Sequence, residues 1–212
     1  MDRLGVPRVH YTGAVNNMHD KLIESLISDG SITFGDYIGK SGTRYECETD
    51  IRNSFYSFGR TKYICNEIYD IIDKLEMRFD FFLGVPETGT VIAHFLNDIK
   101  YEKSKIDFGY NYLRSVPKER QKDCASTHTI LPHRSKPSII LIEDDVVTGA
   151  TLLSYLKVVV GLEFNVIAVL SIFGRECCDK LIRDTVESEY NVKYVSLIKT
   201  DDVRKRFVHE EK

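Results

Sequence analysis

The chain has 212 residues, 42% of them hydrophobic and 29% charged, with a formal net charge of −3. These are the proportions of a soluble globular protein able to bury one good core. The slight acidity excludes a global electrostatic footprint for nucleic acid or an anionic membrane. No apolar run approaches the length that spans a bilayer and no apolar signal region opens the chain. Its five cysteines have no metal-ligand spacing, so the expectation is a reduced, cytoplasmic protein.

Met18, Leu22, Ile23, Leu26 and Ile27 fall at helical spacing within 16–29, a segment that stops at Asp29-Gly30. Residues 32–37 read as extended and run into Lys40-Ser41-Gly42. A second helix is expected over 58–77, with Ile64, Ile68, Ile71, Ile72 and Leu75 facing inward. A buried strand over 79–85 precedes the turn Pro86-Glu87-Thr88-Gly89, and a helix follows from Thr90 to about Asn97. Another strand is expected near 107–114. Residues 115–137 are polar and aperiodic and contain Pro117, Pro132 and Pro137; a loop of that length in a compact domain is usually functional or disordered.

The apolar run at 139–142 predicts a buried strand. Beyond it come a helix over 149–161, a strand over 166–173, a helix over 176–188 with Cys177 and Cys178 at its start, and a strand over 192–198. A short charged helix is expected after Lys199-Thr200-Asp201-Asp202. Near-continuous apolar strands alternating with helices predict an α/β fold, its parallel sheet covered on both faces. With no repeat and no linker, 1–212 reads as a single domain.

The stretch from Ile139 to Leu152 carries the chemistry. Glu143 and Asp144 stand where the strand should end, and a Thr148-Gly149-Ala150-Thr151 turn opens the next helix. Ligands of parallel sheets bind outside the carboxyl ends of the strands, and a helix opening there offers unpaired N–H groups and a positive dipole end to a phosphate. The carboxylates suit hydroxyl groups or a hydrated magnesium ion. Diol or metal beside phosphate describes a sugar-phosphate site.

This segment resembles the 5-phosphoribosyl-1-pyrophosphate (PRPP) motif of type I phosphoribosyltransferases: four hydrophobics, two acids, a spacer and a Thr-Gly-Gly-Thr-like turn. Ala150 replaces the commoner second glycine, and Asp145 and Val147 stand where many members have an apolar residue and a Thr or Asp. Phe34-Gly35, Lys40-Ser41-Gly42 and Asp50-Ile51-Arg52 resemble the N-terminal signature of the orotate branch. Tyr112-Leu113-Arg114-Ser115-Val116-Pro117-Lys118-Glu119-Arg120 resembles its mobile catalytic loop, matching at Arg114 and Lys118, with Ser115 and Arg120 in place of a lysine and a histidine. Residues 84–90 fall where the family has its pyrophosphate loop. Phe173-Gly174-Arg175 matches an Asp-Arg pair at the arginine alone.

The resemblance implies a type I phosphoribosyltransferase fold: a central, mostly parallel sheet flanked by helices over about 58–200, with a small N-terminal hood over about 1–57. It implies transfer of phosphoribose from PRPP, with Mg²⁺, to a nitrogenous base, orotate first among them, as in pyrimidine nucleotide biosynthesis. Asp144, Arg114 and Lys118 would be catalytic. Glu143 would hold ribose hydroxyls beside Asp144, and Thr148, Gly149, Ala150 and Thr151 the 5-phosphate. Lys40 and Arg120 would attend the pyrophosphate, and Arg175 the base. A homodimer is implied, the loop at 115–137 reaching the neighbouring site. Glu46, Glu48 and Gly174 depart from the orotate pattern, leaving open a different base or a PRPP-binding regulator that performs no chemistry. His128 and His133 have no third ligand nearby in sequence and read as solvated loop residues. Neither a Gly-x-x-x-x-Gly-Lys-Ser/Thr loop nor a Gly-x-Gly-x-x-Gly fingerprint occurs.

Overall fold

Why the strands are apolar throughout is plain from the sheet they form. The structure, a computed structural model, describes residues 18–38, 44–107, 113 and 136–207. Strands β3 (Phe81–Gly84), β4 (Ser138–Val146), β5 (Asn165–Gly174) and β6 (Lys193–Lys199) pair in parallel, in that spatial order. Helices α1 (Met18–Ser28), α2 (Phe58–Asp73), α3 (Thr88–Ser104) and α6 (Thr200–Phe207) cover one face, where Leu22, Ile64, Leu96 and Val203 meet Phe82, Ile140 and Leu170. Helices α4 (Ala150–Gly161) and α5 (Glu176–Tyr190) cover the other, where Leu156 and Ile182 meet Leu83, Leu141 and Val169. Successive strand residues point to opposite faces, so a sheet sandwiched this way needs an apolar residue at nearly every position.

The helix leaving β3 lies on one face and the helix leaving β4 on the other. Neighbouring parallel strands whose chains depart in opposite directions open a crevice at their carboxyl ends. The β3–β4 ladder pairs Gly84 with Ile142, and the Val85 N–H extends it by donating to the Ile142 carbonyl at 2.8 Å. The chain then doubles back tightly. A Cβ on Gly84 would lie 2.1 Å from the Gly89 carbonyl oxygen, and one on Gly89 would lie 2.5 Å from that of Ile142. Two missing side chains therefore let the first turn of α3 rest on the end of β4.

Several boundaries differ from the sequence expectation. Helix α3 begins at Thr88 and continues past Asn97 to Ser104. Its last turns bury Ile99 and are held to α2 by Lys62–Asp98, Lys62–Glu102 and Lys103–Asp70 ion pairs. Helix α2 starts behind Ser57, whose side chain accepts from the Arg60 N–H, and stops at Asp73, short of 77. Asp201 and Asp202 lie inside the first turn of α6, where negative charge is favourable. The strand expected near 107–114 lies outside the described residues except for Leu113, which is buried.

One strand was not anticipated: β2 (Arg44–Thr49) pairs antiparallel with β1 (Ile32–Ile38). Its Arg44, Glu46 and Glu48 are exposed while Cys47 is buried, the period-two pattern of a half-buried strand. A 3-10 turn at Ile51–Phe55 joins this hairpin to α2, pinned by a buried Ser31–Ser54 hydroxyl contact of 2.7 Å. Among the described residues no helix is long and apolar enough to cross a membrane.

Gly84→Ala should destabilise the protein by about 1–3 kcal/mol, the usual cost of overpacking, or roughly 2–4 °C in Tm for each kcal/mol. Gly59, in α2, has nothing within 4 Å of a built Cβ, so Gly59→Ala should leave Tm unchanged or slightly higher. Equal losses in thermal unfolding of the two variants would contradict the close-approach account.

Candidate active site

The crevice between β3 and β4 is a cavity of ≈ 870 Å³. Its walls come from three places: the end of β2 and the 3-10 turn, the Pro86–Thr88 turn, and the continuous stretch from Glu143 to Leu152 with Tyr155 behind it. The Pro86–Glu87 peptide in that turn is cis. Glu143, Asp144, Thr148, Gly149, Ala150 and Thr151, the predicted ribose-phosphate residues, all line this one cavity. Lys40, Arg114, Lys118 and Arg120 lie outside the described residues.

Local chemistry explains the turn. Gly149 caps α4 at φ +76°, a left-handed conformation costly for other residues, and a Cβ there would meet Ile182 Cγ1 at 2.7 Å. Ala150 is already helical and exposed, so a methyl is tolerated in place of the commoner glycine. No side chain of the cap residue covers the first turn of α4; Thr148 Oγ1 accepts from the Ala150 N–H at a long 3.4 Å. The remaining first-turn N–H groups have no intrahelical acceptor and form the positive end of the helix dipole. That is an anion seat.

The carboxylates beside it are unusually concentrated. Asp50, Glu87, Glu143, Asp144 and Asp145 line the cavity, and Arg52 is the one cation among its described lining residues. Arg52 forms a two-pronged pair with Asp50, Nε to Oδ1 at 2.7 Å and Nη2 to Oδ2 at 2.8 Å, which holds the Asp50 carboxyl below its ordinary range. Glu143 is buried, and its Oε2 has no hydrogen-bond partner. Burial first, then the neighbouring Asp144, pushes the Glu143 carboxyl up to about 9. It therefore holds its proton at neutral pH.

Asp145 sits differently. Its Oδ2 accepts from the Thr49 hydroxyl and from Arg175 Nη2 at 3.1 Å, and the same Nη2 donates to Thr49 Oγ1 at 3.0 Å. This node ties the hairpin to the ends of β4 and β5. Arg175, predicted to meet the base, is thus placed against a carboxylate of the protein. Burial raises the Asp145 carboxyl, and the Arg175 charge opposes that shift. Glu48 is exposed and absent from the cavity wall, and Glu46 pairs with Arg204 of α6 at 2.8 Å. Neither carboxylate crowds the cavity. At Gly174 a Cβ would lie 2.2 Å from Ser196 Oγ and 2.7 Å from Asp179 Oδ1, so an aspartate does not fit and Asp179 fills that space.

Pro86, Glu87 and Thr88 of the 84–90 segment line the cavity, and so do Thr49 and Tyr155, which the sequence does not single out. Only the alternation within 44–49 hinted that Thr49 would point inward. No cluster of three or more His, Cys, Asp or Glu side chains suited to a metal occurs among the described residues. Asp144 fits the lesser share that magnesium asks of a protein, one or two carboxylates with substrate oxygens and water completing the shell, whereas Glu143, holding its proton, does not offer a carboxylate.

No family model and no curated protein matches this sequence. Solved structures do match its fold. An orotate phosphoribosyltransferase from Francisella tularensis superposes with a TM-score of 0.73 at 15% identity, over 91% of this chain and 92% of that one. A Mycobacterium tuberculosis orotate phosphoribosyltransferase, solved with PRPP, gives 0.59 at 14% identity over 89% and 99%. UMP synthase from Leishmania donovani gives 0.67 at 14% identity, covering 89% of this chain but 38% of the longer protein. The chain therefore has the type I phosphoribosyltransferase fold. Its structural likeness is to orotate phosphoribosyltransferases among others of that fold.

The proton on Glu143 makes a stability prediction. The folded protein keeps it up to about 9, whereas the unfolded chain loses it above the ordinary 4.5. Stability contributed at this site therefore falls as pH rises across that window. Each unit of separation is worth about 1.4 kcal/mol. Glu143→Gln should unfold several degrees higher than the parent at about pH 8, with the gap closing toward about pH 4. A gap independent of pH in thermal melts would contradict the assignment.

Proposed function

We propose that this protein transfers the 5-phosphoribosyl group of PRPP to a nitrogenous base, forming a nucleoside monophosphate and pyrophosphate. The observation that carries the reading is the single cavity joining paired carboxylates on β4 to the uncapped start of α4. Glu143 and Asp144 receive the ribose hydroxyls, and the Thr148–Thr151 turn receives the 5-phosphate through N–H groups and hydroxyls. The bond from the anomeric carbon to the pyrophosphate oxygen breaks, a bond from that carbon to a base nitrogen forms, and the base gives up its N–H proton to solvent or the leaving group.

Negative charge grows on the departing pyrophosphate. The one cation in the described cavity wall, Arg52, is paired with Asp50. Lys40, Arg114, Lys118 and Arg120 are assigned to offset that growing charge, with Arg114 and Lys118 on a loop that closes over the leaving group and excludes water. Magnesium, when bound, supplies further positive charge there. In this reading the protein is a homodimer whose loop at 115–137 serves the neighbouring site. Positioning and electrostatics carry the rate, with no covalent intermediate. Orotate is the acceptor that the sequence resemblance implies through Arg175, but here that arginine pairs with Asp145 and is absent from the cavity wall, so the identity of the base rests on other groups.

Asp144→Asn should abolish PRPP binding in calorimetry with magnesium present, while far-UV circular dichroism stays that of the parent. Undiminished affinity would sink this placement of the ribose. Pyrophosphate release from PRPP across a panel of bases tests the transfer itself; binding without release from any base would instead favour a regulator.

A further inference from the structure

Resting on the phosphoribosyl-transfer reading, we infer that the acceptor is a neutral base that donates an N–H to Asp145, not a base bearing a carboxylate. The two Asp145 oxygens are used unequally. Oδ2 accepts from both the Thr49 hydroxyl and Arg175 Nη2. Oδ1 is buried and has no partner. A buried acceptor left empty is costly and asks for a donor. Asp145 and Thr49 both line the cavity that holds the ribose-phosphate residues, so the donor can come from a ligand.

The charge balance points the same way. Arg175 is buried, and its charge is matched by the Asp145 carboxylate. An incoming carboxylate would find this cation already neutralised and would stand beside a second buried anion, which repels it. A neutral oxo- or amino-base meets no such penalty. Its ring N–H or amino N–H donates to Oδ1. Asp145 is then a specificity-determining residue, and the pair it makes with Arg175 reads hydrogen-bond donors where a lone arginine would read an anion. The hairpin takes part, because Thr49 holds both partners in place.

Nucleotide affinity tests this without requiring turnover. The probes are uridine, adenosine, inosine and orotidine 5′-monophosphates, titrated calorimetrically into the parent protein, Asp145→Asn and Asp145→Val. In the parent, at least one neutral-base nucleotide should bind about tenfold or more tighter than the orotidine nucleotide. Asp145→Val removes the acceptor and releases Arg175, so the ratio should fall by about tenfold or more, toward the orotidine nucleotide. If that variant fails to fold by circular dichroism, Asp145→Asn, which keeps the shape and loses the charge, should move the ratio in the same direction. Pyrophosphate release with uracil, adenine, hypoxanthine and orotate should rank the bases alike. Preference of the parent for the orotidine nucleotide, or a ratio unchanged in the folded variants, overturns the inference. A separate PRPP titration tells the two readings apart. PRPP binding with orotidine preferred removes only this inference, and no binding of PRPP or any nucleotide removes the transfer reading as well.

Discussion

The parallel pairing of β3 with β4, and the departure of their chains to opposite faces, is the constraint on which the site depends. Two parallel strands joined this way cannot close their carboxyl ends with connecting chain. What fills the gap is decided by the residues at the strand tips. Here Gly84 and Gly89 bring the start of α3 down onto Ile142, and the next residue of β4 is Glu143. The cavity floor is thus made of backbone held at contact distance, and its wall is made of carboxylates. A floor of that kind leaves no room for a side chain at either glycine, because a Cβ there would run into main chain.

Electrostatically the cavity is divided along β4. Glu143 and Asp144 stand next to a helix start that favours anions, while Asp145 turns to a guanidinium and a hydroxyl. A carboxyl that is buried without a cation keeps its proton, as Glu143 does; one that is buried beside a guanidinium has its charge matched, as Asp145 has. Three consecutive acids thus serve two kinds of chemistry.

Much of this was legible in the sequence, for identifiable reasons. The strands of the parallel sheet are apolar on both faces, so runs such as 139–142 betray them without any periodicity. The Thr148–Thr151 turn was legible because only glycine suits position 149. The second half of the hairpin is hard to read from sequence: Arg44, Glu46 and Glu48 look like a solvated loop until the buried Cys47 is counted between them. Helix α3 outruns its sequence pattern because its last turns are held by ion pairs to α2, which leave no apolar stripe of ordinary width. The role of Asp145 was beyond sequence reasoning. Its partners Thr49 and Arg175 lie 96 and 30 residues away, and nothing local announces a contact over such distances.

The short helix α6 has a consequence for the order in which the molecule can be built. Arg204 reaches Glu46 on the hairpin, and Arg206 reaches Asp20 and Glu24 on α1, at 2.6 and 2.8 Å respectively. Val203 is buried in the same apolar cluster as Leu22. The hairpin that supplies Thr49 is therefore secured by residues some 158 positions further along the chain. During synthesis the earliest described segments must wait, unsecured, until the ribosome has released nearly everything after them. Contacts of such long range are slow to form. The crevice can assemble its floor early, but the side built from the hairpin is completed only when α6 arrives.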